Sequence, residues 1–330
     1  MRMLEILNLH TYFETKRGLI RAVDGVSLGI EEGKTLGVMG ESGSGKSQTA
    51  LSVLKLFEKN QKIHSGEVYF EGDKISDYSD QKMYEIRGNK ISMIFQEPMT
   101  SLNPVFKIGK QIGEVLILHQ GLSRKEAHNR AVAMLESVKI PNAGSIVNQY
   151  PHQLSGGMRQ RVMIAMALAC NPKLLIADEP TTALDVTIQA QILRLMNDLK
   201  HELNTAIMFI THDLGVINQM ADDVAVMYCG QVVETAPVDY IFKNRTNFSH
   251  PYTEALLESI PLLSGNKADR LEAIPGAVPH PLDIPKGCRF SPRCKYRTDK
   301  CDDIMPELTA VEEAQSVRCY YPRKGVRSNG

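Results

Sequence analysis

The stretch TLGVMGESGSGKSQTALSVLKLF, residues 35–57, decides the fold. It reads as a short apolar strand, a glycine-rich turn and an amphipathic helix. Its centre, GESGSGKS at residues 40–47, matches the phosphate-binding pattern G-x-x-x-x-G-K-[ST]. Gly40, Gly43 and Gly45 allow backbone angles and close approaches that a Cβ would prevent. Successive N–H groups at the start of the helix can therefore surround phosphate oxygens.

The polar residues of this loop have predicted roles. Lys46 would reach the β- and γ-phosphates of a nucleotide, and Ser47 would bind Mg²⁺. The alternative, a Gly/Ser turn that matches by chance, is disfavoured by the strand before the loop and the helix after it. The residues predicted to contact the nucleotide here are Gly40, Ser42, Gly43, Gly45, Lys46 and Ser47.

A second apolar run, KLLIADEPTTALD at residues 173–185, ends in carboxylates. Its continuous apolar character predicts a strand buried on both faces, as in a parallel sheet. Asp178 would then join the Mg²⁺ shell, and Glu179 would polarise the water that attacks the γ-phosphate. The alternative is an acidic cap on a buried strand, which suits one carboxylate better than a pair that follows a phosphate-binding loop.

A third apolar run, AIMFITHD at residues 206–213, carries His212 to the same predicted sheet edge. A single histidine is more often structural than catalytic. Its position after another buried strand favours a contact with the γ-phosphate, so His212 is a candidate catalytic residue.

The segment LSGGMRQRV, residues 154–162, places two glycines after a serine at the start of a helix, which predicts a second anion-binding helix N-terminus. With these motifs in this order, residues 3–260 resemble the ATP-binding subunits of ABC transporters. The resemblance implies ATP and Mg²⁺ as ligands. It matches residues 40–47 to Walker A, Gln96 to the Q-loop, LSGGM to the signature, LLIADEP to Walker B, Asp185 in TALD to the D-loop and His212 to the switch histidine. Phe13 resembles the adenine-stacking aromatic, with Tyr12 as its rival.

The resemblance also implies a mechanism. Two ATPase subunits would close head to tail, so that Ser155 and Gly157 of one subunit contact the nucleotide held by the other. Gln96 would contact Mg²⁺ or the attacking water and would report contact with a membrane permease. The motifs are intact, so ATP hydrolysis is expected.

The domain organisation is predicted from the order of the motifs and from the distribution of proline. The predicted fold is α/β, an ABC-type P-loop core with a mixed sheet and a β-rich subdomain. An α-helical subdomain is expected at about residues 97–165, within an ATPase domain of residues 1–250. Six of the sixteen prolines fall between Pro261 and Pro292, so residues 251–330 are predicted to form an irregular C-terminal extension.

The extension narrows the resemblance. HPYTEALLESIP, IPGAVPHP and GCRFSPRC, with FQEPMTSLNP earlier in the chain, resemble the ATPases of dipeptide and oligopeptide importers. The implied partners are two permeases, a second ATPase subunit (a sister chain or a copy of this one) and, indirectly, a peptide-binding protein. Alternatives are import of nickel chelates or other small solutes, a non-transport ABC ATPase, and an ABC-type ATPase of iron–sulfur assembly.

Charge and hydropathy bear on the partners and the cellular location of the chain. The 38 Lys and Arg residues balance the 38 Asp and Glu residues, which gives no basic field for nucleic acid. The start of the chain lacks the apolar core of a signal peptide, and the longest apolar run, residues 162–170, is far too short to span a bilayer. The expected location is the cytoplasmic face of the membrane, as a peripheral subunit.

The last expectation concerns cysteine. Cys170 and Cys229 follow apolar runs and are predicted core thiols. Cys288, Cys294, Cys301 and Cys319 have the spacing C-x5-C-x6-C-x17-C, which leaves zinc and iron–sulfur both open. The importer resemblance implies a 4Fe–4S cluster, and we expect it to be remote from ATP hydrolysis. Its charge would be offset by nearby basic residues, namely Arg289, Arg293, Lys295, Arg297 and Arg318.

Overall fold

A computed structural model describes residues 2–96, 101–182, 184–243, 248–259 and 274–324. Residues 97–100, which the sequence assigns to the permease-contacting segment after Gln96, lie outside these ranges. So does Ala183 of the predicted D-loop.

The described residues contain both strands and α-helices, as expected for an α/β chain. In chain order the strands are β1 (Arg2–Thr15), β2 (Gly18–Glu31), β3 (Thr35–Met39), β4 (Gln61–Phe70), β5 (Asp73–Lys74), β6 (Ile91–Ile94), β7 (Leu174–Asp178), β8 (Ala206–Ile210), β9 (Asp223–Tyr228), β10 (Gln231–Pro237), β11 (Phe248–Ser249), β12 (Thr309–Glu312), β13 (Gln315–Val317) and β14 (Arg323–Lys324).

The α-helices are α1 (Lys46–Val53), α2 (Asp80–Ile86), α3 (Ile108–Gln120), α4 (Arg124–Ser137), α5 (Ala143–Ile146), α6 (Gly156–Leu168), α7 (Val186–Leu203), α8 (Leu214–Met220), α9 (Val238–Phe242), α10 (Pro251–Glu258) and α11 (Asp299–Asp303). Single 3₁₀ turns occupy Ile75–Asp77, Pro151–Gln153 and Ser291–Arg293. Within the described ranges, no helix is long and apolar enough to cross a membrane.

The chain divides into two compact units. The first unit contains Met1–Leu4, Gly29–Thr35 and Tyr69–Ile210. The second unit contains Glu5–Leu28, Leu36–Val68 and Thr211–Gly330. The predicted boundary near residue 250 is a different division, and it stays a prediction.

The first unit contains the parallel strands β6, β7 and β8 and the helices α3 to α7. Strand β7 pairs in parallel with both β6 and β8. Every residue of β7 and β8 is buried, which confirms the reading of these apolar runs as buried strands. A Gly-Leu-Ser break separates two helices of this unit, because Gly121 ends α3 at φ 66° and Ser123 caps α4 in a capping box with Glu126.

The second unit contains the phosphate-binding loop and a mixed sheet. Strand β3 pairs in parallel with β9, and β10 pairs antiparallel with β9. Strands β1 and β2 are joined by a tight turn, where the Thr15 hydroxyl donates to the Gly18 carbonyl at 2.7 Å.

The C-terminal extension has an irregular part and a regular part. The described residues from 274 to 292 contain no strand or α-helix, as the proline content predicts. The sequence did not predict that β13 pairs with β10, with Glu234 opposite Val317, or that β12 pairs with β13. Tyr252 on α10, Phe290 and Val317 are each 3% exposed or less, so the extension adds strands and apolar side chains to the second unit.

Candidate functional site

The phosphate-binding loop joins β3 to α1 in the second unit. Gly40, Gly43 and Gly45 have φ angles of 150°, 77° and 98°, which an L-residue with a Cβ adopts only under strain. Gly45 is the N-cap of α1, and no side chain caps this helix. The first turn of α1 carries no acidic residue, so its partial positive charge is available to an anion.

Lys46 is buried in the loop that it is predicted to serve. Its Nζ atom donates to the carbonyl oxygens of Gly40 at 2.7 Å and Glu41 at 3.0 Å, and it lies 3.4 Å from the Ser44 hydroxyl. The ammonium group is thus held at the centre of the loop by the loop's own carbonyls. Ser42 and Gly43 are exposed, and Ser47 is half-buried.

The two candidates for adenine stacking lie on opposite faces of β1. Tyr12 is buried, donates its hydroxyl proton to Asp24 at 2.6 Å and stacks on His64 with ring centroids 5.0 Å apart. Burial, with the hydrogen bond to Asp24, raises the pKa of Tyr12 to about 12. Phe13 is half-buried and leaves its ring partly accessible. The geometry favours Phe13, which stays a prediction.

Glu179 lies in the first unit, just after β7. Gln96 Nε2 donates to Glu179 Oε2 at 3.2 Å, and the Thr182 hydroxyl donates to the same oxygen at 2.9 Å. Asp178, the last residue of β7, is 4% exposed. The structure therefore brings together Gln96 and Glu179, which the sequence had assigned to one reaction, and adds Thr182 as a partner that sequence reasoning missed.

The signature segment begins α6. Ser155 caps this helix by accepting from the Met158 N–H at 3.3 Å, and Ser155 and Gly156 are exposed. Gln160, one turn further on, is fully buried and donates its amide to the Pro180 carbonyl, next to Glu179. Gln160 was also missed, because its role depends on a contact twenty residues away in the chain.

The remaining predicted site residues follow the ends of strands or begin helices. Asp185 caps α7 by accepting from the Ile188 N–H at 2.9 Å. His212 lies in the second unit, two residues after β8, and its side chain is exposed. Both positions are those expected of residues that border a nucleotide site.

Four cysteines of the extension line one small cavity together with His250, Pro251, Phe290, Ser291, Tyr296 and Tyr321; they are Cys288, Cys294, Cys301 and Cys319. Backbone N–H groups of Tyr296 and Tyr321 donate to the sulfurs of Cys294 and Cys319 at 3.4 Å each. Burial raises the pKa of the Cys288 and Cys319 thiols to about 11. Among the described residues, no group of three or more His, Cys, Asp or Glu side chains is arranged to hold a metal ion.

The other two cysteines are core residues, as predicted. Cys170 and Cys229 are 8% and 7% exposed, and all six cysteines, which the described ranges include, are free thiols. Burial raises the pKa of both core thiols.

The basic residues near the cysteines do more than offset thiolate charge. Four of them form ion pairs with carboxylates: Arg289 with Asp24, Arg293 with Glu41, Lys295 with Glu254 and Glu258, and Arg297 with Asp302. Glu41 belongs to the phosphate-binding loop. Arg293, which is adjacent to Cys294, therefore contacts this loop, while the expectation that the cluster is remote from ATP hydrolysis stays a prediction.

Comparisons with known proteins identify the family of the chain. A family profile described as "ABC transporter" matches residues 23–182, and one described as "Oligopeptide/dipeptide transporter, C-terminal region" matches residues 233–301. The oligopeptide transport ATP-binding protein AppD of Bacillus subtilis is 54% identical over 329 residues, 99% of each chain. The oligopeptide transport ATP-binding protein OppD of Haemophilus influenzae is 50% identical over 318 residues, 96% of this chain and 97% of the relative.

Solved structures share the fold of the ATPase portion. The dimeric post-hydrolysis state of the ATP-binding cassette MJ0796, bound to ADP and Pi, superposes with a TM-score of 0.65 and 32% identity. It covers 72% of this chain and 99% of its own. This match confirms the P-loop fold with its mixed sheet and helices that the sequence predicted.

Proposed function

The chain belongs to the ATP-binding subunits of oligopeptide ABC importers, and from that premise we propose how its residues drive peptide import. The chain is the ATP-hydrolysing motor of such an importer. The observation that carries this function is the 54% identity to an oligopeptide transport ATP-binding protein over 99% of both chains. The intact phosphate-binding loop and the Gln96–Glu179 contact support hydrolysis at this subunit's own site.

The proposed ATP site gives each predicted residue one role. Phe13 stacks on adenine, and Lys46 contacts the β- and γ-phosphates within the glycine loop. Ser47, Gln96 and Asp178 hold Mg²⁺, which neutralises phosphate charge when it is bound. Glu179 accepts the proton of the attacking water. The hydrogen bonds that Gln96 and Thr182 donate to its carboxylate fix the orientation of that group. His212 contacts the γ-phosphate.

Two ATPase subunits act together in the proposed cycle. Ser155 and Gly156 are exposed at the start of α6, which supports a contact with the nucleotide held by a partner subunit. Gly157, the next residue of α6, and Asp185, the N-cap of α7, are proposed to take part in the same contact. The second subunit is proposed to be a sister ATPase. The complex also contains membrane permeases, which are served by a peptide-binding protein, and this chain is proposed to lie on the cytoplasmic face of the membrane.

Peptide uptake by proteoliposomes tests the function. The chain is reconstituted with its permeases and second ATPase, and accumulation of a labelled oligopeptide is measured with ATP or with ADP inside. ATP-dependent uptake that is lost in the Lys46→Ala variant supports the proposal. Uptake of a nickel chelate but not of peptides would assign the transporter to another cargo, and an absence of any complex with a permease would contradict it.

The surface at Gln96 is proposed to receive the permease. Gln96 lies two residues after β6 and contacts Glu179, so a protein bound there could change the orientation of the proposed catalytic carboxylate. A cysteine introduced at Gln96 should cross-link to a permease loop, and one introduced at Glu136 on α4 should not. Cross-linking only to a soluble protein would count against an importer.

The four extension cysteines are proposed to hold a 4Fe–4S cluster. Their side chains line one cavity, and backbone N–H donors already point at two of the sulfurs, as at protein-bound iron–sulfur centres. Each thiolate would bind a different iron, so the four sulfurs need not converge on one ion as they would around zinc. The cluster supplies one-electron chemistry or folding energy when bound.

Anaerobic purification tests this centre. A brown protein with about four irons and four sulfides per chain supports it, and Cys294→Ser should lose the colour while Cys170→Ser, a core control, keeps it. A colourless protein with one zinc ion per chain would contradict the cluster and assign the four cysteines to zinc.

A further inference from the structure

One residue of the C-terminal extension reaches into the phosphate-binding loop. The Arg293 guanidinium binds the Glu41 carboxylate through two nitrogens, Nη1 to Oε2 at 2.6 Å and Nη2 to Oε1 at 3.1 Å. The side chain of Arg293 is 4% exposed and that of Glu41 is 29% exposed. A bidentate, charge-assisted pair with one member buried fixes the orientation of both side chains.

The rest of the guanidinium is also engaged. Arg293 Nε donates to the Pro275 carbonyl at 3.0 Å, and Nη1 lies 3.3 Å from the Tyr228 hydroxyl. These additional hydrogen bonds hold the Arg293 side chain in one position. Arg293 therefore links the extension to the phosphate-binding loop at Glu41.

Glu41 is held at its backbone as well. Its N–H donates to the Tyr252 hydroxyl of α10 at 2.8 Å, and its carbonyl accepts from Lys46 Nζ at 3.0 Å. Arg293 and Tyr252 of the extension thus both bind Glu41. The carbonyl of the same residue accepts a hydrogen bond from Lys46. This role of Glu41 was not predictable from the sequence, since Glu41 occupies a variable position of the loop pattern.

We propose that Arg293 is a positioning residue for ATP, which holds the Walker A loop in its binding conformation through Glu41 and neutralises that carboxylate. Both effects act in the same direction. Without Arg293 the loop must be ordered when ATP binds, which costs affinity. The uncompensated Glu41 carboxylate would also repel the nucleotide phosphates in the same loop. The inference goes beyond hydrolysis and rests only on ATP occupying the phosphate-binding loop.

The test measures ATP affinity of the isolated full chain with a fluorescent ATP analogue. Arg293→Gln should raise the dissociation constant about fivefold or more, the lower range of measured site–site couplings. Tyr252→Phe, which removes only the hydroxyl, should raise it to a smaller extent. Arg297→Gln removes a neighbouring ion pair with Asp302 and is the matched control, with affinity unchanged.

A rescue experiment separates positioning from general loss of structure. Adding Glu41→Gln to Arg293→Gln removes the uncompensated charge and should recover part of the lost affinity. In the assembled transporter, Arg293→Gln should raise KM for ATP and leave kcat within about twofold, because Glu179 is not touched. Circular dichroism confirms that each variant is folded.

The outcomes are distinct. Lys46→Ala must weaken ATP binding, and if it does not, both the proposed ATP site and this inference fail. If Lys46→Ala weakens binding while folded Arg293→Gln and Tyr252→Phe bind ATP as the wild type does, the inference alone is overturned. A fall in kcat with unchanged KM would also overturn it. Weaker binding in Arg293→Gln with partial recovery in the double variant establishes the positioning role.

Discussion

The buried side-chain amide of Gln160 donates a hydrogen bond to the carbonyl of Pro180. Gln160 belongs to α6, which begins at the signature, and Pro180 follows Glu179 directly. The contact therefore joins the segment that would serve a partner's nucleotide to the segment that carries Glu179, the proposed general base. Both residues belong to the first unit, so the link exists within one subunit.

Replacing Gln160 should disturb turnover more than ATP affinity. Gln160→Met keeps the side-chain volume but removes the donor, so the buried Pro180 carbonyl loses its partner at a cost of about 1–3 kcal/mol in the free energy of unfolding. Misplacement of Glu179 should lower kcat by up to about 10²-fold, with KM for ATP nearly unchanged. The exposed Gln153→Met is the control. If Gln160→Met is less stable but turns over normally, the contact is only structural.

Docking of the extension depends on a second arginine. Arg289 is 5% exposed and pairs with Asp24, which also accepts from the Tyr12 hydroxyl at 2.6 Å. Arg289→Met should cost up to about 3–5 kcal/mol in the free energy of unfolding, because it removes the buried cation beside Asp24 and leaves that carboxylate with the more exposed Arg21 at 3.9 Å. Chemical unfolding followed by circular dichroism measures the loss. The control is Arg297→Met, which removes a more exposed ion pair and should change the unfolding midpoint little. An equal loss of stability in both variants would contradict the explanation by a buried ion pair.

The pH dependence of stability should reflect Glu234. This carboxyl is fully buried on β10 and accepts hydrogen bonds from Gln315 and from the His250 N–H, each at 2.8 Å. Burial raises its pKa from 4.5 to about 7. Between these values the folded chain keeps a proton that the unfolded chain has released, so this group's contribution to stability falls as pH rises through the window.

Glu234→Gln removes that titration. The free energy of unfolding of the variant, relative to the wild type, should increase from pH 4.5 to pH 8 by up to about 3 kcal/mol, since one pKa unit is worth about 1.4 kcal/mol. Urea unfolding at pH 5 and pH 8 measures it, with Glu114→Gln on exposed α3 surface as the control. A difference between Glu234→Gln and wild type that is the same at both pH values would contradict the prediction.

The elements that carry phosphate chemistry were predictable because their signals are local. The apolar runs that became β3, β7 and β8 are fully buried, and the glycines at 40, 43 and 45 adopt the positive φ angles that their pattern requires. Strand, loop and helix lie within about fifteen to thirty consecutive residues in each motif. Residue types alone therefore indicate which side chains meet a nucleotide.

The role of the extension was not predictable for the opposite reason. Strand β13 has three residues, and its pairing with β10 joins positions more than 80 residues apart, so no periodicity marks it. Arg293 reads in the sequence as one basic residue among several near the cysteines. Its partner, Glu41, lies 252 positions away, and such a contact has no local signal. Proline content suggested irregular structure, but the apolar faces of Tyr252 and Phe290 decide where the extension packs.

The most direct test of the proposed catalytic site is ATP turnover by the Glu179→Gln variant in the assembled transporter. The variant keeps the phosphate-binding loop and the neighbouring Gln96 and Thr182 side chains, so it should bind MgATP as the wild type does. Turnover should fall by about 10²–10⁴-fold, the usual contribution of a positioned general base. Near-normal turnover at saturating ATP would contradict the assignment of Glu179, and with it the proposed mechanism of hydrolysis at this site.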